Sequence, residues 1–169
     1  MTESNTNYVE YLIDLAKNGR VRSFIDLCEI NLGNVFTVSF RLLSDIEEAK
    51  KVTIHTFTKS WEKLEEYNGK IPFAKWIKNI AVNYSITMLS NREDNYVEKK
   101  KPIKSLSEKE LLESHIMSLP RDDRIIIILH DIEGYDNNEI SNFFDGLETD
   151  EIKSKLINTR EYLINKISL

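Results

Sequence analysis

The chain has 169 residues, a formal net charge of −5 and 41% hydrophobic residues, which suits one globular domain or two small ones. The sequence contains no run of 18 apolar residues and begins with a polar, acidic segment, so we expect neither a membrane span nor a signal peptide. The single cysteine, Cys28, excludes an internal disulfide and a multi-cysteine metal site. It lies among apolar residues, so we expect a buried core thiol in a cytoplasmic protein.

An all-α fold is predicted for the first part of the chain, because apolar residues recur there at the helical spacing and Gly and Pro are few. The expected helices lie near 7–18, near 21–43, from an N-cap at Ser44-Asp45 to about 64, and from Pro72 onward. The clearest stripe belongs to the fourth helix and consists of Phe73, Trp76, Ile77, Ile80, Ala81, Tyr84 and Met88.

Residues 96–105 look like a connector, because they carry four basic and one acidic side chain, include a proline and show no apolar stripe. We therefore expect two small helical domains, 1–95 and 106–169, joined by a linker over 96–105. In the second domain, helices are expected from Ser107 or Glu108 to Met117, over 121–131, from Asp136 or Asn137 to Phe144, and over 149–167. The run IIIIL within 121–131 also suits a buried strand, but its helical flanks favour a helix.

No catalytic or metal-binding pattern is visible. His55, His115 and His130 are separated from one another and from Cys28, with no metal-ligand spacing. The sequence also lacks a glycine-rich phosphate loop and the common hydrolase motifs. We therefore expect a protein that is not an enzyme and that needs no cofactor.

The C-terminal pair of helices, over 137–167, resembles a helix-turn-helix, in which the second helix enters the DNA major groove. Ile152, Leu156 and Leu163 would face inward, and the outward side chains would be those of Lys153, Ser154, Ile157, Asn158 and Arg160. Any helical hairpin shows a similar pattern. Residues 106–169 carry 7 basic and 14 acidic side chains, and this net charge of −7 argues against tight autonomous DNA binding.

The fourth helix lies in a window, Tyr67–Arg92, that contains no Asp or Glu. On a helical wheel, Trp76, Asn79 and Asn83 form one edge of its apolar stripe, and Lys75 and Lys78 occupy the far side. An aromatic and amide border without acids could hold an extruded base, because amides pair with base edges and aromatic rings stack on bases. Alternatively, Trp76 is a core residue and Asn83 an ordinary surface amide.

Two groups of motifs resemble the extracytoplasmic-function (ECF) sigma factors, the small two-domain branch of the sigma-70 subunits of bacterial RNA polymerase. The first group is FRLLSDIEEAKKVTIHTFTKSWEKLEEYNGKIPFAKWIKNIAVNYSI, with F-x-x-W-[LI]-x-x-I-A-x-N near its end. The second is LPRDDRIIIILHDIEGYDNNEI followed by IKSKLINTREYL. The resemblance covers about residues 8–92 and 106–167, with both groups in the family's order.

This resemblance implies that residues 1–95 bind the clamp helices of core RNA polymerase and open the −10 promoter element, and that residues 106–169 read the −35 element. Asn83 matches the amide that contacts a flipped non-template base, Tyr67 the loop aromatic beside it, and Lys63 a nearby strand contact. We place Lys75, Lys78 and Asn79 on the same −10 surface. The −35 contacts would be Lys153, Ser154, Ile157 and Asn158. The polymerase contacts would be Asp45, Glu47, Glu48, Lys51, Ile54 and His55. An anti-sigma factor is the expected regulatory partner.

The chain departs from the family's pattern at three places, one of which is Asn158, where a basic residue is common. KKVTIHTF puts Lys51, Ile54 and His55 where an acidic, glutamine-containing run is usual. The turn before the last helix is about one residue longer than usual and adds Glu148, Asp150 and Glu151. Two alternatives therefore stand beside a promoter-specificity subunit: a sigma-like adaptor that binds polymerase or DNA without initiating, and a helical interaction module unrelated to transcription.

Overall fold

A computed structural model describes residues 3–92 and 108–167, and this part of the chain is helical without strands. Its α-helices are α1 (Glu3–Lys17), α2 (Val21–Leu43), α3 (Ile46–Glu62), α4 (Phe73–Ser90), α5 (Glu108–Met117), α6 (Arg121–Ile127), α7 (Asn137–Ser141) and α8 (Thr149–Ile167). The predicted all-α class is confirmed. None of these helices is both long and apolar enough to cross a membrane.

The chain separates into two compact units, Met1–Met88 and Leu89–Leu169. The predicted linker over 96–105 lies outside the described residues. In the first unit, α2 packs against both α1 and α3. The side chains at the centre of this unit are fully buried: Leu27, Val35, Val38, Leu42, Leu43, Val52 and Ile77.

Helix α3 begins at the predicted N-cap. The Oδ1 atom of Asp45 accepts a hydrogen bond from the backbone N–H of Glu48 at 2.8 Å, which satisfies one of the unpaired amides of the first turn. The preceding Ser44 has a left-handed backbone, with φ of 55°, and ends α2. The sequence prediction of a cap at Ser44-Asp45 is therefore confirmed.

Helix α4 buries part of its predicted apolar stripe, where Phe73, Ile77 and Ala81 are buried, and it also buries Val82 and Ser85 on the neighbouring side. The hydroxyl of Ser85 donates to the carbonyl of Ala81 at 2.8 Å. Ile80 and Tyr84, at the centre of the predicted stripe, are only half-buried. The centre of the buried side therefore lies roughly a quarter turn from the centre of the predicted stripe.

In the second unit, α5, α6 and α7 pack against α8. The apolar run Ile125–Leu129 is buried at every position. It continues α6 into a π-helical turn, Ile128–Ile132, so the choice of helix over strand is confirmed. The wider turn changes the direction of successive side chains, and π-turns of this kind occur as single insertions in α-helices.

Helix α7 begins with a capping box. Asp136 accepts from the backbone N–H of Glu139 at 2.8 Å, and the Glu139 carboxylate accepts from the backbone N–H of Asp136 at 3.1 Å. The helix ends at Ser141, earlier than the predicted Phe144. Tighter i→i+3 bonds replace the α-helical pattern there: the backbone N–H of Phe143 donates to the carbonyl of Ile140 at 3.0 Å and that of Phe144 to Ser141 at 3.2 Å. The Phe143 ring lies 5.5 Å from that of Tyr135 in an edge-to-face contact.

Helix α8 turns Ile152, Leu156 and Leu163 into the core of the second unit, as predicted. Cys28, in contrast, is half-buried rather than fully buried. Desolvation still raises the pKa of its thiol to about 11, so little thiolate is present at neutral pH.

Candidate nucleic-acid interface

An open pocket of about 340 Å³ lies between the C-terminal half of α3 and the C-terminal half of α4. The side chains that line it are His55, Lys59, Lys63, Ile80, Asn83, Tyr84 and Thr87. Three of these side chains, those of His55, Lys59 and Lys63, are basic, and none is a carboxylate. The surface therefore favours an anionic or electron-rich ligand over a cation.

The side chains that line the pocket come from one face of α3 and one face of α4. On α3, His55 and Lys59 are four residues apart, and Lys63, which caps the helix, follows after another four. Residues at this spacing share one face of a helix. On α4, Asn83 and Thr87 share a face in the same way, and the Thr87 hydroxyl donates to the carbonyl of Asn83 at 2.9 Å.

Asn83 is exposed at this pocket. Its Nδ2 donates to the carbonyl of Asn79 one turn earlier, at 3.0 Å. This hydrogen bond anchors the amide against its own helix, and an anchored amide loses less side-chain entropy when it binds a ligand. An amide carries both donors and an acceptor, which is what recognition of a base edge needs.

His55 and Tyr84 stack against each other across the pocket. Their ring centroids are 3.6 Å apart and their planes differ by 12°. Because α3 supplies one ring and α4 the other, the pair joins the two walls. His55, which the resemblance assigns to the polymerase surface, thus lies beside Asn83 in the structure.

Tyr67 is not among the residues that line this pocket. Its hydroxyl donates to the carbonyl of Ile71 at 2.8 Å, and its ring packs on Phe73 and Trp76 with centroids 5.4 Å and 5.3 Å away. Lys17 donates to the Tyr67 carbonyl at 2.7 Å. Desolvation raises the pKa of the Tyr67 hydroxyl. These contacts fix the loop that leads into α4.

The structure brings together only part of the predicted −10 set. Lys63 and Asn83 line the same pocket. Lys75, Lys78 and Asn79 are half-buried on α4 and are not among the lining residues. Trp76 is half-buried within the aromatic cluster with Tyr67, which favours the structural role that the sequence left open for it.

The two lysines of the pocket also have acidic neighbours. Lys59 pairs with Glu62 at 2.6 Å, and Lys63 lies 3.9 Å from Glu66. The hydrogen bond from Lys59 lowers the pKa of the Glu62 carboxyl. Exposed pairs of this kind contribute little to stability, so a phosphate can replace the carboxylate at low cost.

The acidic residues predicted to face polymerase cluster at the start of α3. Asp45 is half-buried because it caps the helix, and Glu47 pairs with Lys50 at 2.7 Å. Glu48 is half-buried and Lys51 is exposed. Ile54, further along the helix, is 69% exposed, which is a high value for an isoleucine. An exposed branched apolar side chain suits a protein surface better than a nucleic acid.

On α8, the predicted −35 residues point outward but are partly engaged. Lys153 pairs with Asp150 at 2.9 Å, and the Ser154 hydroxyl donates to the Asp150 carbonyl at 3.0 Å. Ile157 is 55% exposed, and Asn158 is also exposed. The pairing of Lys153 with an acid on its own helix lowers the positive charge that this surface can offer to phosphates.

Arg160 corrects one sequence expectation. It was expected to be available on the outer face of α8, but its Nε donates to the Oδ2 of Asp131 at 3.0 Å, and its second contact is with Oδ1 of the same carboxylate. His130 Nδ1 lies 2.7 Å from that Oδ1 atom. The hydrogen bond from Arg160, with a further one from His130, lowers the pKa of Asp131. The partner of Arg160, Asp131, lies in the π-helical turn, and the sequence pattern does not reveal that turn.

Metal ligation has no visible basis in the described ranges, where no three His, Cys, Asp or Glu side chains cluster suitably. The pocket chemistry is therefore that of stacking rings, an amide and cations.

No protein-family model matches the chain. In sequence, it is 21% identical over 84 residues to the ECF RNA polymerase sigma factor SigW of Bacillus subtilis (strain 168). That match covers 50% of this chain and 45% of SigW, so the chain spans less than half the length of this relative.

Two solved structures are similar over almost the whole chain. One is CnrH in complex with the cytosolic domain of CnrY, with a TM-score of 0.66, 19% identity, and coverage of 95% of this chain and 97% of CnrH. The other is the sigma factor RpoE in complex with the anti-sigma factor NepR from Bartonella quintana, with a TM-score of 0.65, 16% identity, and coverage of 88% and 98%. The sequence match and these shared folds confirm the resemblance that the motifs indicated, and the chain has the fold of ECF sigma factors.

Proposed function

We propose that this chain is a sigma factor that directs bacterial RNA polymerase to promoters and assists in opening them. The observation that supports this most directly is the pocket that joins Asn83 and Lys63 on a surface without lining carboxylates. These two residues lie twenty positions apart in the sequence, and the motifs assigned both to the same DNA element. The overall fold and the SigW similarity support the same function.

The first unit binds the melted −10 element. Asn83 hydrogen-bonds the edge of a flipped base, Lys63 contacts the strand backbone, and Lys75, Lys78 and Asn79 extend this surface along α4. Tyr67 holds the loop before α4 and borders the strand. Unpairing a base costs a few kcal/mol, which contacts made only to the extruded base must offset.

The second unit reads the −35 element through α8. Lys153, Ser154, Ile157 and Asn158 are the exposed side chains that meet the major groove. Ile157 supplies an apolar contact to a thymine methyl group, and Asn158 can pair with an adenine. The acids at the start of α8 stabilise the helix dipole but repel phosphates, so the −35 contribution to affinity is small.

Three further parts of the proposal concern partners and location. The acidic start of α3, with Asp45, Glu47 and Glu48, and the following Lys51, Ile54 and His55 contact the clamp helices of core polymerase. One similar structure is a sigma factor bound by the anti-sigma factor NepR, so we expect an anti-sigma partner here also. A protein with these partners acts in the cytoplasm, and it needs no catalytic activity of its own.

A transcription assay tests the function. Purified protein and bacterial core polymerase would be incubated with a library of randomised promoters, and the transcripts would be sequenced. We expect initiation from a subset of templates that share two short elements. Stimulation of no template in the library would contradict the proposal.

Ion pairing within the recognition helix α8 favours a second candidate, a sigma-like adaptor that binds polymerase without initiating. Lys153 is paired with Asp150, and Glu148 and Glu151 add negative charge beside it. Core binding combined with no activity on a promoter that is already melted would support the adaptor. Activity on the melted promoter would exclude it. A pull-down that retrieves no polymerase subunit would instead support an interaction module unrelated to transcription.

A further inference from the structure

We propose that protonation of His130 turns the cluster of His130, Asp131 and Arg160 into a binding site for a phosphate of duplex DNA, beside the helix α8. The inference rests on the proposed contact of α8 with the −35 element. It gives a regulatory role to a histidine that the proposed function leaves unused, and it makes DNA binding by the second unit depend on pH.

The three side chains meet between α8 and the π-helical turn Ile128–Ile132. The Nδ1 atom of His130 lies 2.7 Å from Oδ1 of Asp131 and 3.1 Å from Nη2 of Arg160. The guanidinium also contacts the same carboxylate, from Nε to Oδ2 at 3.0 Å and from Nη2 to Oδ1. One imidazole nitrogen therefore stands beside both a hydrogen-bond acceptor and a hydrogen-bond donor.

These two neighbours of Nδ1 favour opposite protonation states. A ring nitrogen without a hydrogen can accept from Arg160, and a ring nitrogen with one can donate to Asp131, but no single state does both. In the imidazolium, Nδ1 donates to Asp131 in a charge-assisted hydrogen bond. Arg160 Nη2 then loses Nδ1 as an acceptor, while the bond from Nε to Oδ2 stays. The ion pair between Asp131 and Arg160 is thus kept until the carboxyl group itself titrates.

Protonation also changes the charge of the cluster. With a neutral imidazole, the charges of Asp131 and Arg160 cancel, whereas with an imidazolium the cluster is positively charged. The side chains of His130, Asp131 and Arg160 are 30%, 33% and 44% exposed, so a phosphate can reach them. A guanidinium N–H that has lost its acceptor, in a positively charged cluster, suits a phosphate oxygen.

The cluster lies on the side of α8 that carries proposed DNA contacts. Arg160 follows Lys153 by seven residues, almost two helical turns, so both residues lie on one side of the helix. Ile157, between them, is 55% exposed. Because Lys153 is paired with Asp150, a cation that appears on protonation adds positive charge where this surface offers little.

The elements that pack against the π-helical turn bring further charges, and most of these have partners of their own. Asp123 on α6 pairs with Lys155 on α8 at 2.9 Å, and Arg124 on α6 donates to a carbonyl of α5 at 3.2 Å. Glu139 on α7 belongs to the capping box, and Glu133 directly follows the turn. Among all these charged groups, the two with a hydrogen-bonding contact to the imidazole are Asp131 and Arg160.

A titration of the full chain with a short fluorescein-labelled duplex of random sequence tests the site, because a phosphate contact carries no sequence information. Anisotropy would be measured at about pH 6 and about pH 8, on either side of the ordinary pKa of histidine, about 6.5. We expect the unaltered chain to bind about two- to fivefold more tightly at the lower pH, the strength of an exposed ion pair. The slope of log affinity against log salt should steepen there by up to about 0.9.

His130→Gln keeps a hydrogen-bonding side chain that does not titrate, so it should lose most of this gain, and Arg160→Gln should lose it as well. The matched control is His115→Gln, which removes a histidine on α5 in the same unit and should keep the gain. Equal affinity of the unaltered chain at the two pH values would overturn the site. So would a gain that His130→Gln retains in full, or no duplex binding at either pH.

NMR of the unaltered chain provides a readout that needs no variant. The Nε–H signal of Arg160 should shift along the same titration curve as the His130 imidazole, and an Arg160 signal that stays constant would overturn the switch. Neither measurement contains polymerase or a promoter. A chain that shows the gain without initiating transcription therefore keeps the switch and loses the promoter function, whereas a chain that initiates without the gain loses only the switch.

Discussion

Asn83 is the residue on which the proposed −10 contact depends, because it is the one side-chain amide among the residues that line the pocket between α3 and α4. Its Nδ2 is anchored to Asn79. The side chain makes no contribution to the core, since it is exposed. Its removal should therefore affect the interaction with DNA and spare the fold.

We expect Asn83→Ala to leave binding to core polymerase unchanged and to reduce promoter opening by about 5- to 150-fold, since a lost base contact is worth about 1–3 kcal/mol. Permanganate reactivity of unpaired thymines would measure opening, and co-purification with polymerase would measure binding. Asn34→Ala, at an exposed amide on α2, is the control. Equal loss of both activities in the Asn83 variant would assign Asn83 a structural role instead.

The Asp131–Arg160 pair predicts a pH-dependent stability. The pKa of Asp131 is lowered from its usual value of 3.8, so its stabilising effect is present above that value and is lost as pH falls through the lowered pKa. Because both side chains are a third or more exposed, the pair contributes at most about 1 kcal/mol. Arg160→Gln should lower the melting temperature at pH 7, and the difference should shrink below about pH 4.

Thermal denaturation at several pH values would measure this difference. Lys153→Gln is the control on the same helix, since its partner Asp150 is almost fully exposed and its loss should not change stability measurably. A penalty for Arg160→Gln that is the same at pH 7 and at low pH would show that the guanidinium acts through packing instead of charge.

At the scale of elements, α4 shows what the periodicity of apolar residues can predict about a helix and what it cannot. The spacing of apolar residues located the helix and its start after Pro72. It identified the buried face only in part: Phe73, Ile77 and Ala81 are buried as predicted, but Ser85 is also buried and Tyr84 remains half-buried against His55. An apolar stripe records only which side chains are hydrophobic, whereas the packing of neighbouring helices decides which side chains are buried.

Two roles of Asp45 can be tested separately, because this residue both caps α3 and belongs to the proposed polymerase surface. Asp45→Asn keeps a good N-cap and removes the charge, so we expect normal stability and a several-fold weaker affinity for core polymerase. Asp45→Ala should lose affinity and also about 0.5–2 kcal/mol of stability.

Differential scanning calorimetry and a polymerase-binding titration would measure the two effects. If Asp45→Asn binds polymerase as tightly as the unaltered chain, the carboxylate serves only as a cap, and the polymerase contact must come from Glu47 or Glu48.

At the scale of the whole molecule, the two units differ in charge. The acid-free pocket lies in the first unit, and residues 106–169 have a net charge of −7. We expect the free protein to bind duplex DNA only weakly, with a dissociation constant above about 1 μM at physiological salt, because phosphate neutralisation dominates DNA affinity. An electrophoretic or anisotropy titration with promoter duplex would measure it, and sub-micromolar binding by the isolated chain would contradict the expectation.

The sequence by itself determined the all-α class, most helix boundaries, the caps to within one residue (Ser44-Asp45, and Asp136 or Asn137), and the resemblance to ECF sigma factors. These features depend on local spacing and on side chains within one turn. Tertiary structure alone decided that His55 stacks on Tyr84, that Tyr67 packs on Phe73 and Trp76, and that Asp131 holds Arg160. The physical reason is that each of these contacts joins residues that are distant in sequence or on different elements, so it depends on how helices pack.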